Sequence, residues 1–452
     1  MKNIDFSKLS GDIITKQNKK YEESILSWNR AIKAEPLVII YCKEERDVIN
    51  AINWAKENNV EVRIRSGCHN YEGYSTGNDV AIIDISKMKD IKIDEEHNTV
   101  KFGAGIINRE AYEALGAKKY PFPGGGCPTV GITGLILGGG WGYSSRYLGL
   151  ACDSLIEVEI INYNGEKLIA NKDTNDDLFW ALRGGGGGNF GVITSMTLRL
   201  PKKESEGTLI RMNYKNIKED TAFEVIYNLQ KIYKNLDEKM NLKAAIYNSS
   251  TQGKGIKITG LYYGKKNIVE KILKPLLEID VDLETNIEEQ SLLECNRWIQ
   301  DSHPEYEKYK STGRFIYKDY TKEELQEIIE IIKSPAKGCI YTAVTFYGLG
   351  GKIPEVDKMA TAFYYRDAKF IMGFQSVWEE DKYAEANNLW FIDKFKKIKR
   401  ITNGSFINFP LKEIEDYEEE YYGGNKDRIK KIKGKYDKEN FFSFPQSIKG
   451  IN

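Results

Sequence analysis

Two reactive side chains, His69 and Cys127, each stand inside a glycine-rich turn in the first third of this 452-residue chain. The first turn reads Arg65-Ser66-Gly67-Cys68-His69-Asn70-Tyr71-Glu72-Gly73-Tyr74-Ser75. The second reads Pro123-Gly124-Gly125-Gly126-Cys127-Pro128-Thr129-Val130-Gly131-Ile132-Thr133-Gly134, followed by Gly138-Gly139-Gly140-Trp141-Gly142. Glycine lets backbone N–H groups approach a ligand closely, and such nests suit phosphate. A thiol near oriented N–H groups has a lowered pKa and becomes nucleophilic. An imidazole can be alkylated through a ring nitrogen. Taken singly, His69 reads more readily as a hydrogen-bonded structural histidine and Cys127 as an inert buried thiol, while each glycine loop reads equally as a tight turn. Both at glycine turns in one half of the chain point instead to a phosphate-containing cofactor held by backbone amides.

Competing motifs fail on context. Gly186, Gly188 and Gly191 satisfy G-x-G-x-x-G, but a predicted helix precedes them and a strand follows. A dinucleotide fold needs the reverse order, so that a helix N-terminus meets the pyrophosphate. GxxxxGK[ST] is absent. The three histidines, at 69, 97 and 303, do not pair at metal-ligand spacing, so no metal is expected. Lys plus Arg equals Asp plus Glu at 66 each, so no net field draws the chain to nucleic acid or an anionic membrane, and a small, weakly charged ligand is expected. Six scattered cysteines without CxxC pairs, and a start lacking the apolar core of a signal peptide, read as a reduced cytoplasmic protein.

The elements that must position these turns follow from periodicity. Val60, Val62 and Ile64 alternate with charged residues as a half-buried strand leading into the His69 turn. Lys43 to Asn58 is an amphipathic helix, and Leu37 to Ile40, Val80 to Asp84 and Thr99 to Phe102 are strands. Ser10 to Ile32 reads as a turn and a short helix with Trp28 as an anchor. Asn108 to Leu115 is a helix entering the cysteine loop. Leu155 to Asn162 is a strand with a hairpin signal at Asn164-Gly165. Asp176 to Leu182 is a helix before Val192 to Leu200. Beyond Pro201 glycine thins and charged helices alternate with strands: helices at 221–236, 267–277, 321–333 and 383–401, strands at 242–247, 256–263, 340–348 and 370–378. The tail at 435–442 reads as a turn and Glu418-Glu419-Glu420 as a solvated face. The expected fold class is α+β, with a glycine-rich domain at 1–202, an antiparallel sheet covered by helices at 203–385, and a segment at 386–452 returning to the first domain.

Those motifs, with Arg183-Gly184-Gly185-Gly186 to Asn189-Phe190-Gly191-Val192 and the tail Phe444-Pro445-Gln446-Ser447-Ile448, resemble the berberine-bridge-enzyme-like branch of the vanillyl-alcohol-oxidase (PCMH-type) flavoproteins. The resemblance spans nearly the full length. It implies a PCMH-type FAD domain, a substrate cap, and FAD joined through His69 to the 8α-methyl and through Cys127 to C6. It places cofactor contacts at Arg65, Ser66, Gly67, Cys68, Asn70, Tyr71, Gly126, Val130, Gly131, Thr133 and Gly134. Further contacts fall at Gly140, Trp141, Gly142, Gly188, Asn189, Gly191, Val192 and Asn408. Val130, a small residue beside the flavin locus, implies oxygen access and an oxidase releasing hydrogen peroxide. The implied substrate is a sugar or aromatic alcohol oxidised at CH–OH; cap aromatics Trp298, Tyr341, Phe346, Tyr347, Tyr364, Tyr365 and Trp378 are candidates to stack on it. Oxidative cyclisation, a flavin dehydrogenase and a non-enzymatic carbohydrate-binding module are the alternatives.

Two departures from the family pattern matter. Cys68 replaces a usual glycine, so a glycine-only backbone is not expected there. The tail tyrosine that serves as base is Phe409 in Phe406-Ile407-Asn408-Phe409. Phenylalanine takes no proton, and hydride transfer still requires the hydroxyl proton to leave. The replacement candidates are Tyr71, with its pKa lowered by Lys352, and Glu355.

Overall fold

In the computed structural model, which describes residues 4–279 and 281–451, the chain builds three sheets. The apolar runs flanking the long helix Glu45–Asn58 form the first. Val38–Tyr41, Ala81–Asp84 and Val62–Arg65 pair in parallel, and Asp12–Thr15 adds antiparallel at the edge. The central strands are buried on both faces, as continuous apolar runs such as Ala81-Ile82-Ile83 require. Strand Val62–Arg65 ends at the His69 turn, so the turn is launched from the edge of a rigid sheet.

The second sheet is antiparallel, in the order Ile91–Asp94, Thr99–Gly103, Val192–Arg199, Leu155–Ile161, Lys167–Asn171. The helix Asp176–Ala181 precedes the 184–188 glycines and the strand Val192–Arg199 follows them, the order inferred from sequence.

The third sheet has eight strands and begins at Glu206, after the second sheet ends at Arg199. Its order is Leu283–Ser291, Glu206–Lys215, Gly253–Tyr262, Met240–Ser249, Cys339–Gly348, Phe370–Trp378, Lys308–Ile316, Asn403–Ser405. The helices Glu219–Tyr233, Lys266–Leu277, Lys322–Ile331 and Ala384–Ile401 pack side by side along it. The strands show the matching alternation. Ile210, Met212 and Tyr214 are buried, whereas Arg211 and Asn213 between them line the central cavity.

Several segments differ from expectation. Residues 10–32 hold the strand Asp12–Thr15 and the one-turn helix Tyr21–Ser24. Leu283–Ser291 is a strand that periodicity missed, because it is a polar edge with Ile287 as its buried residue. Lys308–Ile316 is nearly all buried despite Lys310 and Arg314. Both cations are compensated: Lys310 Nζ lies 2.6 Å from Glu72 and 2.9 Å from Glu413, and Arg314 Nη1 lies 2.8 Å from Glu420. Glu418 and Glu420 are therefore not a solvated face, since Glu418 also pairs with Lys430 at 2.6 Å. The expected turn at 435–442 is instead entered by a helix, Lys426–Tyr436.

The C-terminal segment holds both halves. Asn403–Ser405 extends the large sheet beside Lys308–Ile316, while Lys426–Tyr436 packs on Asp176–Ala181. Lys433 is fully buried there. Its ammonium donates to Asp437 Oδ2 at 2.6 Å, Asn189 O at 2.7 Å and Phe442 O at 2.8 Å. Three acceptors satisfy three N–H bonds, so the buried charge is fully solvated by protein. Removing one partner of such a pair strands the other. Lys433→Met should cost about 3–5 kcal/mol, read as a fall in the denaturation midpoint, with Lys433→Met/Asp437→Leu recovering part of the loss.

Candidate active site

A cavity of about 1020 Å³ lies between the glycine loops and the open face of the large sheet. His69 enters it from the turn after Val62–Arg65. Asn70 Oδ1 shapes that turn by accepting from the N–H groups of Glu72 and Tyr74 at 3.1 and 3.0 Å. Asn29 Nδ2 donates to Tyr71 O and to Tyr309 O, both at 3.1 Å, which ties the turn to the strand Lys308–Ile316. Trp28 stacks on the His69 ring with centroids 5.1 Å apart.

The Cys127 loop is held by the helix Asn108–Gly116. The N–H groups of Asn108 and Arg109 donate to Val130 O and Pro128 O, and Asn108 Nδ2 donates to Cys127 O at 2.9 Å. The two reactive side chains converge on one hydroxyl. Thr129 Oγ1 lies 2.7 Å from His69 Nε2 and 3.9 Å from Cys127 Sγ.

The convergence depends on backbone contact. A Cβ on Gly67 would stand 2.2 Å from Gly131 N, and one on Gly131 would stand 2.3 Å from Ser66 Oγ. Either replacement forces the turns apart.

Electrostatics depart from the sequence reading at Cys127. Burial raises its pKa, and the hydrogen bonds from Thr129 and Val130 offset this only in part. The thiol is not activated by its amides alone, contrary to expectation. Burial also pushes His69 down to about 3, with the His303 charge adding to it, so the imidazole is neutral.

Ser66, Gly67, Cys68, His69, Asn70 and Tyr71 line the cavity, as do Gly126, Cys127, Val130, Gly131, Thr133 and Gly134. So do Trp141, Gly188, Asn189, Gly191 and Asn408. Thr133 contributes backbone there, because its hydroxyl is spent on Ala104 O at 2.7 Å. Six predicted residues lie elsewhere. Arg65 points away, into a buried pair with Asp84 at 2.5 Å, because parallel register sets the two opposite each other. Gly140 and Gly142 serve packing: a Cβ on Gly142 would lie 1.9 Å from Gly124 O, and one on Gly140 2.6 Å from Ala151 Cβ. Val192 is buried in its strand. Lys352 and Glu355 pair with each other at 2.9 Å at the surface, outside the cavity. Their loop is docked by backbone, since Lys352 N donates to Arg146 O and a Cβ on Gly351 would stand 2.2 Å from that oxygen. Lys352 is therefore not placed to activate Tyr71. The Tyr71 phenol is instead pushed far up by burial, and its ring stacks on Phe409 at 5.0 Å and 4°.

Sequence reasoning missed the loop between Leu292–Asp301 and Lys308–Ile316. It carries His303 and Glu307 into the cavity. His303 Nδ1 donates to Ile299 O at 3.0 Å, and Gly126 sits against its ring. Burial alone raises Glu307 to about 7. The signal the sequence offers there is His303 beside Pro304, a histidine with no second one at metal-ligand spacing. Of the cap aromatics, Trp298, Tyr341 and Tyr347 line the cavity, while Phe346, Tyr365 and Trp378 are core and Tyr364 packs on Gly423 and Gly424.

The lining fits a large nucleotide cofactor. A Cβ on Gly134 would meet nothing within 4 Å, and those on Gly187 and Gly188 nothing nearer than 3.8 and 3.4 Å, so bare backbone faces open space. Trp28 Nε1, Arg63 Nε, Tyr74 OH and Asn108 Oδ1 are buried around the cavity without a partner. Open amides and unpaired polar atoms are what a phosphate-bearing ligand satisfies.

Comparison with known proteins agrees. Residues 36–171 match the FAD binding domain family, and residues 405–449 the family of berberine and berberine-like proteins. The chain is 32% identical over 453 residues to an uncharacterized FAD-linked oxidoreductase, YgaK of Bacillus subtilis (strain 168), covering 98% of each. It superposes on Physcomitrella patens BBE-like 1 with a TM-score of 0.88 at 25% identity, covering 98% of both chains. A carbohydrate oxidase from Microdochium nivale gives a TM-score of 0.89 at 20% identity with the same coverage. The chain belongs to the berberine-bridge-enzyme-like family, with the PCMH-type fold, and is an FAD-linked oxidoreductase.

Cys68 corrects one expectation. Its φ is +59°, the left-handed region, so the replaced glycine's conformation is kept by a residue with a Cβ. Cys68→Gly should change stability by less than about 1 kcal/mol, strain relief offsetting lost burial, whereas β-branched Cys68→Val should cost about 2 kcal/mol or more. Denaturation midpoints of the two variants test the ordering.

Proposed function

We propose that the protein oxidises an alcohol or sugar-like hydroxyl, using FAD tethered through both His69 and Cys127, with molecular oxygen reduced to hydrogen peroxide. The observation that carries this reading is the convergence of His69 Nε2 and Cys127 Sγ on the Thr129 hydroxyl. The bare amides at Gly134, Gly187 and Gly188 would hold the nucleotide, and Arg63, Tyr74 and Asn108 would give it polar partners. FAD bound there supplies the two-electron acceptor for the carbinol hydride.

The remaining chemistry belongs to the chain. Phe409 takes no proton, and Tyr71, which it stacks against, is held protonated by burial. Glu307 is the cavity carboxyl whose ionisation falls near neutrality, so it is positioned to accept the hydroxyl proton and become the neutral acid. Trp298, Tyr341 and Tyr347 offer flat faces for a sugar ring, in keeping with the carbohydrate oxidase whose fold this chain shares. Val130 lines the cavity wall, where its small side chain would leave room for oxygen.

Acid-precipitated protein should stay yellow. Its intact mass should carry one FAD in His69→Ala and in Cys127→Ala but not in the double variant; colourless precipitate from the parent would refute the tethers. Glu307 must be ionised to act, so turnover should rise with pH through about 7. Glu307→Gln should lower kcat by roughly 10²–10⁴ and abolish that limb, with peroxide release as the assay.

A further inference from the structure

We propose that Arg211, Lys243 and Lys257 form an anion-binding wall in the substrate cavity, so that the hydroxyl oxidised belongs to a molecule carrying a carboxylate, a sugar acid. The inference rests on the reading of this cavity as an alcohol-oxidising site and narrows its substrate class.

The three cations come from neighbouring strands and one face. Thr259 sits opposite both Arg211 and Lys243, so the two side chains share a cross-strand row, with Cα atoms roughly 10 Å apart at two interstrand spacings. Lys257 stands in the next row of that face, opposite Asn213 and Ala245. All three line the cavity. The positive region reaches the reactive centre, because Lys243 is close enough to His303 to help keep its imidazole neutral, and His303 packs on Gly126, next to Cys127.

Their charge is poorly compensated. Among the described residues Lys243 has no ion pair and no hydrogen bond; its ammonium lies 5.9 Å from the Tyr347 ring. Lys257 Nζ has only neutral partners, Gln252 Oε1 at 2.9 Å and the Tyr247 ring at 5.1 Å. Arg211 Nη2 reaches Glu288 at 3.2 Å and the guanidinium lies over Trp298 at 4.4 Å, yet its Nε is buried and unpartnered. The acidic lining residues do not answer them. Glu284 is taken by Lys215, and Glu307 is held near half-ionisation at neutral pH. Three like charges on one wall repel and carry desolvation cost, and a bound carboxylate offsets both by accepting charge-assisted hydrogen bonds. The guanidinium lying over Trp298 sets a fork donor beside a stacking face, the pairing that a carboxylated sugar ring presents in return. A chain with no net charge thus concentrates a local positive field where the substrate enters.

An anion could also come from the cofactor's own diphosphate, and the test separates the two. Purified holoenzyme is titrated anaerobically with methyl β-D-glucuronide and methyl β-D-glucoside, following the flavin absorbance, and assayed for peroxide with D-glucuronate and D-glucose. The glucuronide should bind at least tenfold more tightly at low ionic strength, with a matching preference in kcat/KM that shrinks as salt is raised. In Lys243→Gln and in Arg211→Met/Lys243→Met/Lys257→Met the acid-to-neutral ratio should fall toward one at unchanged flavin content per chain. Equal affinities, no binding of the glucuronide, or a ratio unmoved by Lys243→Gln overturns the proposal. Loss of flavin from the triple variant assigns the cations to the cofactor and overturns it as well. Oxidation of neutral sugars without acid preference leaves the alcohol-oxidase reading standing, whereas absence of bound flavin removes that reading itself.

Discussion

Two stretches of backbone touch at Gly67 and Gly131, with space for nothing beyond hydrogen on either Cα. That contact sets the His69 turn against the Cys127 loop and brings imidazole and thiol to one threonine hydroxyl. It is also where separate structural units are joined. The His69 turn extends from a parallel sheet, and the Cys127 loop is clamped by the N-terminal amides of Asn108–Gly116. A side chain at either glycine would need a shift of backbone, which close-packed interiors resist. The strained φ at Cys68, one residue from His69, shows the same constraint from another side: the local conformation is imposed by the contact and not chosen by residue preference.

The second organising feature is how the chain buries charge. Lys310 joins the cap strand to Glu72 beside the His69 turn and to Glu413 in the C-terminal segment. Arg146 crosses from the flavin half to donate to the carbonyls of Met240 and Leu236 at 2.8 Å and Leu349 at 2.5 Å. Lys433 secures the last helix to Asn189. Each of these buried cations has at least one acceptor from a distant part of the chain, so these contacts specify how the parts sit as well as holding them. Against that background the cavity wall stands out, because Lys243 and Lys257 have no ion pair among the described residues.

If the chain oxidises a hydroxyl as proposed, Phe409 in place of a tyrosine moves the problem of the hydroxyl proton and does not remove it. Tyr71 now stacks on an apolar ring and is further from ionising than a free phenol. On the proposed reading, Glu307, at the head of the adjoining strand Lys308–Ile316, would answer the need, because burial alone raises it to about 7, where it can both lose and regain a proton.

Much of this was legible in the sequence. Glycine spacing and the pairing of one histidine with one cysteine identified the nests, since those properties are local to a dozen residues and backbone permissiveness belongs to the residue type. The helix–strand order around Gly186 to Gly191 correctly excluded a dinucleotide fold, and apolar periodicity located most strands and helices of the cap. Periodicity failed where polar strands are buried, as at Lys308–Ile316, because the partners that make burial tolerable are hundreds of residues away. The same limit hid Arg65, whose role depends on parallel register with Asp84, and favoured Lys352, which pairs with Glu355 outside the cavity. Residue types and their local spacing determined the cofactor class. Which carboxyl titrates near neutrality, and which cations share one wall, were decided only by strand register and exclusion of water, since charge energetics depend on neighbours that folding supplies.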